Sequence, residues 1–201
     1  FRKFKIKQEK GRHEFLTPDE LKKLENLEVH DLKLRHVLDA FLFCCYVGLR
    51  FSDFCQLKQS NFIKVNGKKW LHFKSIKTGI ELRLPLHLLF EGRALSILDK
   101  YDITEFANLG SNSEVNKSLS VIIGMTRIKK HITYHTARHT CATLLIHQGV
   151  PITTVQRLLG HTSVKTTEIY SEILSSTIVR DLKAVKRKRV VNNFQSYASV
   201  R

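Results

Sequence analysis

The chain has 201 residues, 42% hydrophobic and 26% charged, which is length and apolar content enough for one well-buried domain. Its 34 Lys and Arg against 18 Asp and Glu give a net charge of +16 with neutral His, a balance that favours a polyanion such as DNA, RNA or an anionic membrane surface. No apolar run reaches the roughly 18 residues of a membrane span and no signal peptide opens the chain, which argues against membrane insertion.

Residues 1–16 are basic and irregular and read as a linker, and a chain that opens on Phe1 suggests an excised or processed fragment. Thr17-Pro18-Asp19-Glu20 is a helix start: hydroxyl at the cap, proline in the first turn, Glu20 placed to complete a capping box, with a helix expected through about Leu27. From Asp31 to Val47 the apolar Leu34, Val37, Leu38, Phe41, Leu42 and Cys45 keep a helical period, and Gly48 ends it. Arg50 then falls at a helix junction, with Asp53 three residues on, placed either to pair with that guanidinium or to cap the next helix. The period changes at Phe62-Ile63-Lys64-Val65, where Asn66-Gly67 and Trp70-Leu71-His72-Phe73 give a hairpin signal, both turn residues tolerating positive φ. Thr78-Gly79 makes a second turn, and alternating Leu82, Leu84 and Leu86 predict a third strand.

Leu95 to Ile132 reads as helices and loops, with a loop over Asn108–Ser113. Ala137, Cys141, Leu144 and Leu145 predict an amphipathic helix stopped by Gly149 and Pro151; it carries His135 and Arg138 on one face. A second helix over Ile152–Leu159 ends at Gly160, a left-handed cap that turns the chain abruptly. A third, Ser163–Leu174, has Thr162 as its cap and brings Tyr170 back toward His161. Beyond it, Ile178, Leu182 and Val185 form an apolar stripe, and Lys186-Arg187-Lys188-Arg189 is a charge run of the kind that is usually solvated. Cys44, Cys45, Cys55 and Cys141 show no Cys-x-x-Cys spacing and read as core thiols, a usage that fits a reducing cytosol.

The chemistry concentrates in His135, Arg138, His161 and Tyr170, with Arg50 upstream. A phosphodiester under attack gathers negative charge on its non-bridging oxygens; two guanidiniums and two imidazoles supply donors for it, leaving the phenol as nucleophile. No cofactor is required. His131, His135 and His139 recur every fourth residue, but without a nearby acidic base the spacing is weak support for a metal, and none is assigned. His139 reads as a buried, hydrogen-bonded imidazole and His131 as a surface or phosphate-facing one. Tyr46, Tyr101, Tyr134 and Tyr197 are alternative phenols, but only Tyr170 has the Gly160-His161 approach.

Gly48-Leu49-Arg50-Phe51-Ser52-Asp53, His135-Thr136-Ala137-Arg138-His139, Leu158-Leu159-Gly160-His161 and Tyr170 together resemble, in order and spacing, the motifs of the tyrosine recombinases, the phage-integrase family. The wording Thr136-Ala137-Arg138-His139-Thr140 and Thr166-Thr167-Glu168-Ile169-Tyr170 is most similar to integrases of mobile elements from Bacteroides-like bacteria. The resemblance implies an α+β, mainly helical catalytic domain over residues 17–175 with a small antiparallel three-stranded sheet. It implies a missing DNA-binding region ahead of that domain, and residues 176–201 docking on a neighbouring protomer. It further assigns a basic residue of the β-hairpin to the site. Lys77 in Ser75-Ile76-Lys77-Thr78-Gly79 matches, in preference to Lys74 in the strand body, because a turn tip can project its ammonium into a groove. The family more often has glutamate where Asp53 stands.

A phenol with an ordinary pKa near 10 needs a base and a positive field to attack phosphorus at neutral pH. His135 is the candidate base and Lys77 the candidate acid for the leaving oxygen, while Arg50 and Arg138 clamp the non-bridging oxygens and His161 donates a further hydrogen bond. The resemblance implies a 3′-phosphotyrosine intermediate, double-stranded recombination sites as substrate, other protomers assembled as a tetramer on paired sites, an accessory DNA-bending protein and a cytoplasmic, nucleoid-associated setting. A type IB topoisomerase uses the same residue types, and a non-catalytic DNA-binding module is the alternative from another class. A basic membrane-surface protein is the most distant.

Overall fold

Thr17 accepts a hydrogen bond from the backbone of Glu20 while the Glu20 carboxylate accepts from Thr17, so the capping box starts helix α1 (Pro18–Glu25). The computed structural model describes residues 14–168 and 170; the stripe Ile178–Val185, the charge run after it and Tyr197 lie outside the described residues. Asp31 caps α2 (Leu32–Val47), whose buried face extends from Val37 to Val47, and Gly48 ends it at φ 79°. A short α3 (Phe51–Phe54) follows. The antiparallel sheet is β1 (Phe62–Val65), β2 (Lys68–Lys74) and β3 (Glu81–Pro85), in that spatial order, with Val65 opposite Lys68 and Lys74 opposite Glu81. Asn66 and Gly67, both at positive φ, close the first hairpin.

Four helices complete the bulk of the domain: α4 (Arg93–Leu98), α5 (Ile103–Ala107), α6 (Asn112–Gly124) and α7 (Tyr134–His147). Then come α8 (Ile152–Leu159) and α9 (Lys165–Glu168). The expected loop at Asn108–Ser113 is shorter than the sequence suggested, because Ser111 and Glu114 form a second capping box and start α6 at Asn112. Among the described residues the expected helix over Ser163–Leu174 is the single turn α9. His131 precedes α7, so it does not share a helix with His135 and His139.

The helix α2 is the centre of the molecule, packed by α7, α4, α6 and α1. Burial on every side explains its nearly continuous apolar second half, since a helix surrounded by protein needs no polar stripe. Phe54 and Phe106 meet edge to face at 5.1 Å, Phe51 and Tyr134 likewise at 5.1 Å, and Leu16 is fully buried at the margin of this core. Cys44, Cys45 and Cys141 are free and buried. No helix of the described residues is long and apolar enough to cross a membrane. The fold is α+β, mainly helical, with a small three-stranded antiparallel sheet at one edge.

Two glycines let neighbouring segments approach closely enough to bring the candidate residues together. A side chain on Gly48 would lie 2.6 Å from Leu159 Cδ2 and 3.1 Å from Cys141 Sγ, so the ends of α2 and α8 close onto α7 through that absence. Gly160, at φ 62°, sits 3.1 Å from Leu82 Cδ1 by the same measure, which lets the turn after α8 press against β3. Both positions combine a left-handed backbone with close approach, the two demands only glycine meets without strain.

Candidate active site

Arg138 lies on α7 where the ends of α2 and α8 converge, and its side chain answers a local need. Helix ends leave carbonyls without partners; Nη1 of Arg138 donates to Gly48 O at 2.9 Å and Nη2 to Leu159 O at 2.5 Å. The guanidinium is thereby fixed in orientation while being only 2% exposed. Burial, and next the nearby charge of Arg50, push its pKa down from 12.5 to about 10. A site that holds two guanidiniums against their mutual repulsion is one an anion would relieve.

Arg50 precedes α3 and donates through Nη1 to Ser75 Oγ at 3.2 Å, with Asp53 Oδ2 3.7 Å away. Asp53 is buried and does more than balance that charge. It accepts from Ser75 Oγ at 3.1 Å and from the backbone N–H of Ile76 at 2.9 Å. Of the two placements the sequence allowed, the pairing one is found, and it also ties the β2–β3 turn to Arg50. Lys77 stands exposed on that turn, whose ends are joined by Ser75 N–H donating to Ile80 O at 2.9 Å and Gly79 N–H donating to Ser75 O at 2.8 Å. Lys74, the competing lysine, belongs to β2.

His161 follows Gly160 directly, is 8% exposed and shares a 2.9 Å hydrogen bond between Nδ1 and Thr167 Oγ1. Burial first, then Arg138, Arg50 and His135, push its pKa down to about 4, so it is neutral at physiological pH. The sign of the consequence follows from proton binding: between the ordinary value near 6.5 and about 4 the unfolded chain holds a proton that the folded one lacks. Stability is full above about pH 6.5 and declines as pH falls toward 4, by at most about 1.4 kcal/mol per unit. Thermal unfolding of the chain and of His161→Asn between pH 7 and 5 checks this; the variant is expected to show the shallower decline.

Tyr170, reached after the turn of α9, is 8% exposed. Its ring lies nearly parallel to that of His161, 13° between planes and 6.3 Å between centroids. Its hydroxyl is hydrogen-bonded to His139 Nδ1 at 3.0 Å. Burial raises the phenol's pKa, while Arg138 and Arg50 pull it the other way, which places the oxygen within the field of both guanidiniums. His135 is exposed one helical turn before His139, and the two imidazoles meet edge to face at 4.5 Å. The structure thus draws Arg50, Arg138, His135, His161 and Tyr170 into one neighbourhood, with Lys77 on the turn that Asp53 ties to Arg50. Among the described residues no group of three or more His, Cys, Asp and Glu is placed to hold a metal.

Two residues outside the predicted set lie here: His139, buried and hydrogen-bonded as the sequence suggests but with the phenol as its partner, and Thr167, on His161. For His139 a signal existed, since positions i and i+4 share a helix face and His135 was already a candidate. Thr167 had none beyond proximity, because its role depends on the path taken after Gly160.

The site thus sets one phenol beside two guanidiniums and three imidazoles. The phage integrase family matches residues 14–176, and the chain belongs to that family. A tyrosine recombinase of Thermosipho africanus is 32% identical over 169 residues, covering 80% of this chain and 57% of the relative, so the chain spans little more than half of that protein. The tyrosine recombinase XerA of Thermococcus onnurineus is 29% identical over 189 residues, covering 88% of this chain and 63% of the relative. The fold matches lambda integrase, in a dimer bound to a COC′ core site, at TM-score 0.65 with 24% identity, over 84% of this chain and 62% of that one.

Proposed function

We propose that this chain is the catalytic part of a site-specific recombinase that breaks and rejoins double-stranded DNA through Tyr170. The observation that carries the reading is the Tyr170 hydroxyl, buried, hydrogen-bonded to an imidazole and within the field of Arg138 and Arg50. Tyr170 Oη attacks the scissile phosphorus, the bond to the 5′ oxygen breaks, and the strand's 3′ phosphate stays on the tyrosine. Arg50 and Arg138 hold the non-bridging oxygens, neutral His161 donates a hydrogen bond, and Lys77 protonates the leaving 5′ oxygen. His135, exposed at the mouth, adds a donor toward the phosphate. Asp53 keeps Arg50 and the Lys77 turn in register. A 5′ hydroxyl from a second duplex then reverses the step, so neither ATP nor a metal takes part.

The relatives named as tyrosine recombinases and the DNA-bound dimeric neighbour support DNA as substrate and more than one protomer on it. The tetramer on paired sites and the accessory DNA-bending protein are part of the proposal that the sequence resemblance alone suggests. In this reading residues 1–16 link to a preceding DNA-binding region, 17–175 are the catalytic domain, and 176–201 dock on a neighbour. The element served is a mobile one of Bacteroides-like bacteria, and the setting is the cytoplasm, at the nucleoid. Covalent capture from a pool of nicked duplexes of randomised sequence identifies the target. Two copies of the recovered duplex on separate DNA molecules are expected to yield exchanged products. Relaxation of a supercoiled plasmid bearing that site, with no exchanged products, would instead make it a topoisomerase.

A further inference from the structure

We infer that His139 is a catalytic residue of this site: its Nδ1 takes the proton of Tyr170 as the phenol oxygen bonds to phosphorus, and returns it when the strand is rejoined. The inference rests on the proposed reading of the site and reassigns the base role that the sequence alone suggested for His135.

The geometry is direct. Nδ1 of His139 is 3.0 Å from the Tyr170 hydroxyl, within the reach a proton transfer needs. Burial holds the phenol protonated at neutral pH despite both arginines, so the nucleophile needs an acceptor at the moment of attack. The other imidazole stacked on the phenol does not offer one at Nδ1, which is engaged with Thr167 Oγ1 at 2.9 Å. His139 is itself buried in α7, one residue after Arg138, so the base travels on the same rigid element as the guanidinium that neutralises the phosphate. A buried imidazole with the proton on Nε2 presents Nδ1 as an acceptor, and a protonated phenol donates to it. The step balances: Tyr170 Oη–P forms, P–O5′ breaks, the phenolic proton moves to Nδ1 and the 5′ oxygen receives a proton from Lys77. On rejoining, the phenolate leaves phosphorus and recovers its proton from His139.

Two measurements on this chain decide it. Imidazole 15N spectra at neutral pH are expected to show His139 neutral with Nδ1 unprotonated, and its Nδ1 signal is expected to move in Tyr170→Phe. A proton on Nδ1 would overturn the inference. The second is cleavage of the captured nicked duplex by His139→Asn, which keeps a polar group near Nδ1 but cannot take a proton. Its rate is expected to fall about 100-fold or more, as for loss of a general base. Replacing the bridging 5′ oxygen by sulfur, a leaving group that needs no acid, is expected to rescue Lys77→Ala and leave His139→Asn slow. Cleavage by His139→Asn within about threefold of the parent, or rescue by sulfur, would remove the base role. If His139→Asn fails to fold, the spectra decide alone. Normal adduct formation in His139→Asn defeats only this inference; a parent chain that forms no adduct defeats the reading of the site beneath it as well.

Discussion

Tyr170→Phe is expected to abolish covalent protein–DNA adducts while leaving DNA affinity close to that of the parent. The substitution removes one oxygen and keeps the ring, so the near-parallel contact with His161 remains. Without Oη no phosphorus–tyrosine bond can form. Affinity stays because most of it comes from Lys and Arg contacts to backbone phosphates, which a neutral phenol does not make. The fold bears a small cost: a lost hydrogen bond of about 1 kcal/mol, somewhat more if His139 Nδ1 is left without a partner. Denaturing gels of nicked-duplex reactions check the adduct, and salt-matched binding titrations check the affinity. Adducts that persist would pass the role to another residue, and the described tyrosines offer poor substitutes. Tyr134 is 1% exposed with its hydroxyl at 3.1 Å from Cys44 Sγ, and Tyr101 donates to Asp39 at 2.8 Å.

Arg138→Ala is expected to act twice. Cleavage should slow by a factor on the order of hundreds or more, the usual loss when a transition-state donor is removed. Stability should also fall, because Gly48 O and Leu159 O lose their donors in a buried place, at about 1–3 kcal/mol apiece. Part of that is offset: burial and Arg50 already oppose this guanidinium's charge, as its lowered pKa shows, and deleting it relieves both. A net loss of about 2 kcal/mol follows, or roughly 4–8 °C in Tm for a domain of this size. Thermal unfolding and single-turnover cleavage separate the two effects. Arg138→Lys sharpens the test, since it keeps a charge but cannot serve two carbonyls and a phosphate as a planar fork does. A variant that loses stability and keeps its cleavage rate would make Arg138 a structural brace.

Most of the elements near the site were legible because their signals are local. The Thr17–Glu20 capping box, the Asn66-Gly67 turn and the Gly48 and Gly160 stops each state a backbone conformation within a few residues. The same logic misleads at α6: Asn108 to Ser113 has loop composition, yet Ser111 and Glu114 form a capping box that starts the helix at Asn112. Phe90 and Glu91 adopt left-handed conformations between β3 and α4 that no residue type there announces. Asp39, buried on α2 and paired with Arg35 one turn before it, is also held by Lys100 and Tyr101, a feature set by a distant segment.

Within the site, motif and spacing pointed to Arg50, Arg138, His161 and Tyr170, which the fold does assemble. The sequence reading favours His135 as the imidazole for the phenol and takes His139 as a buried one, whereas the phenol is hydrogen-bonded to His139. His135 and His139 are equivalent by helical period, and the choice is made by the reversal at Gly160 and the turn of α9. That is tertiary information, carried by glycines whose missing side chains admit Leu159 and Leu82.

The most direct test of the whole account is the chemical identity of the protein–DNA bond. Digestion of the trapped adduct and mass spectrometry of the nucleotide-bearing peptide should find Tyr170 esterified to a 3′ phosphate. A link to any other side chain, or to a 5′ phosphate, would contradict it.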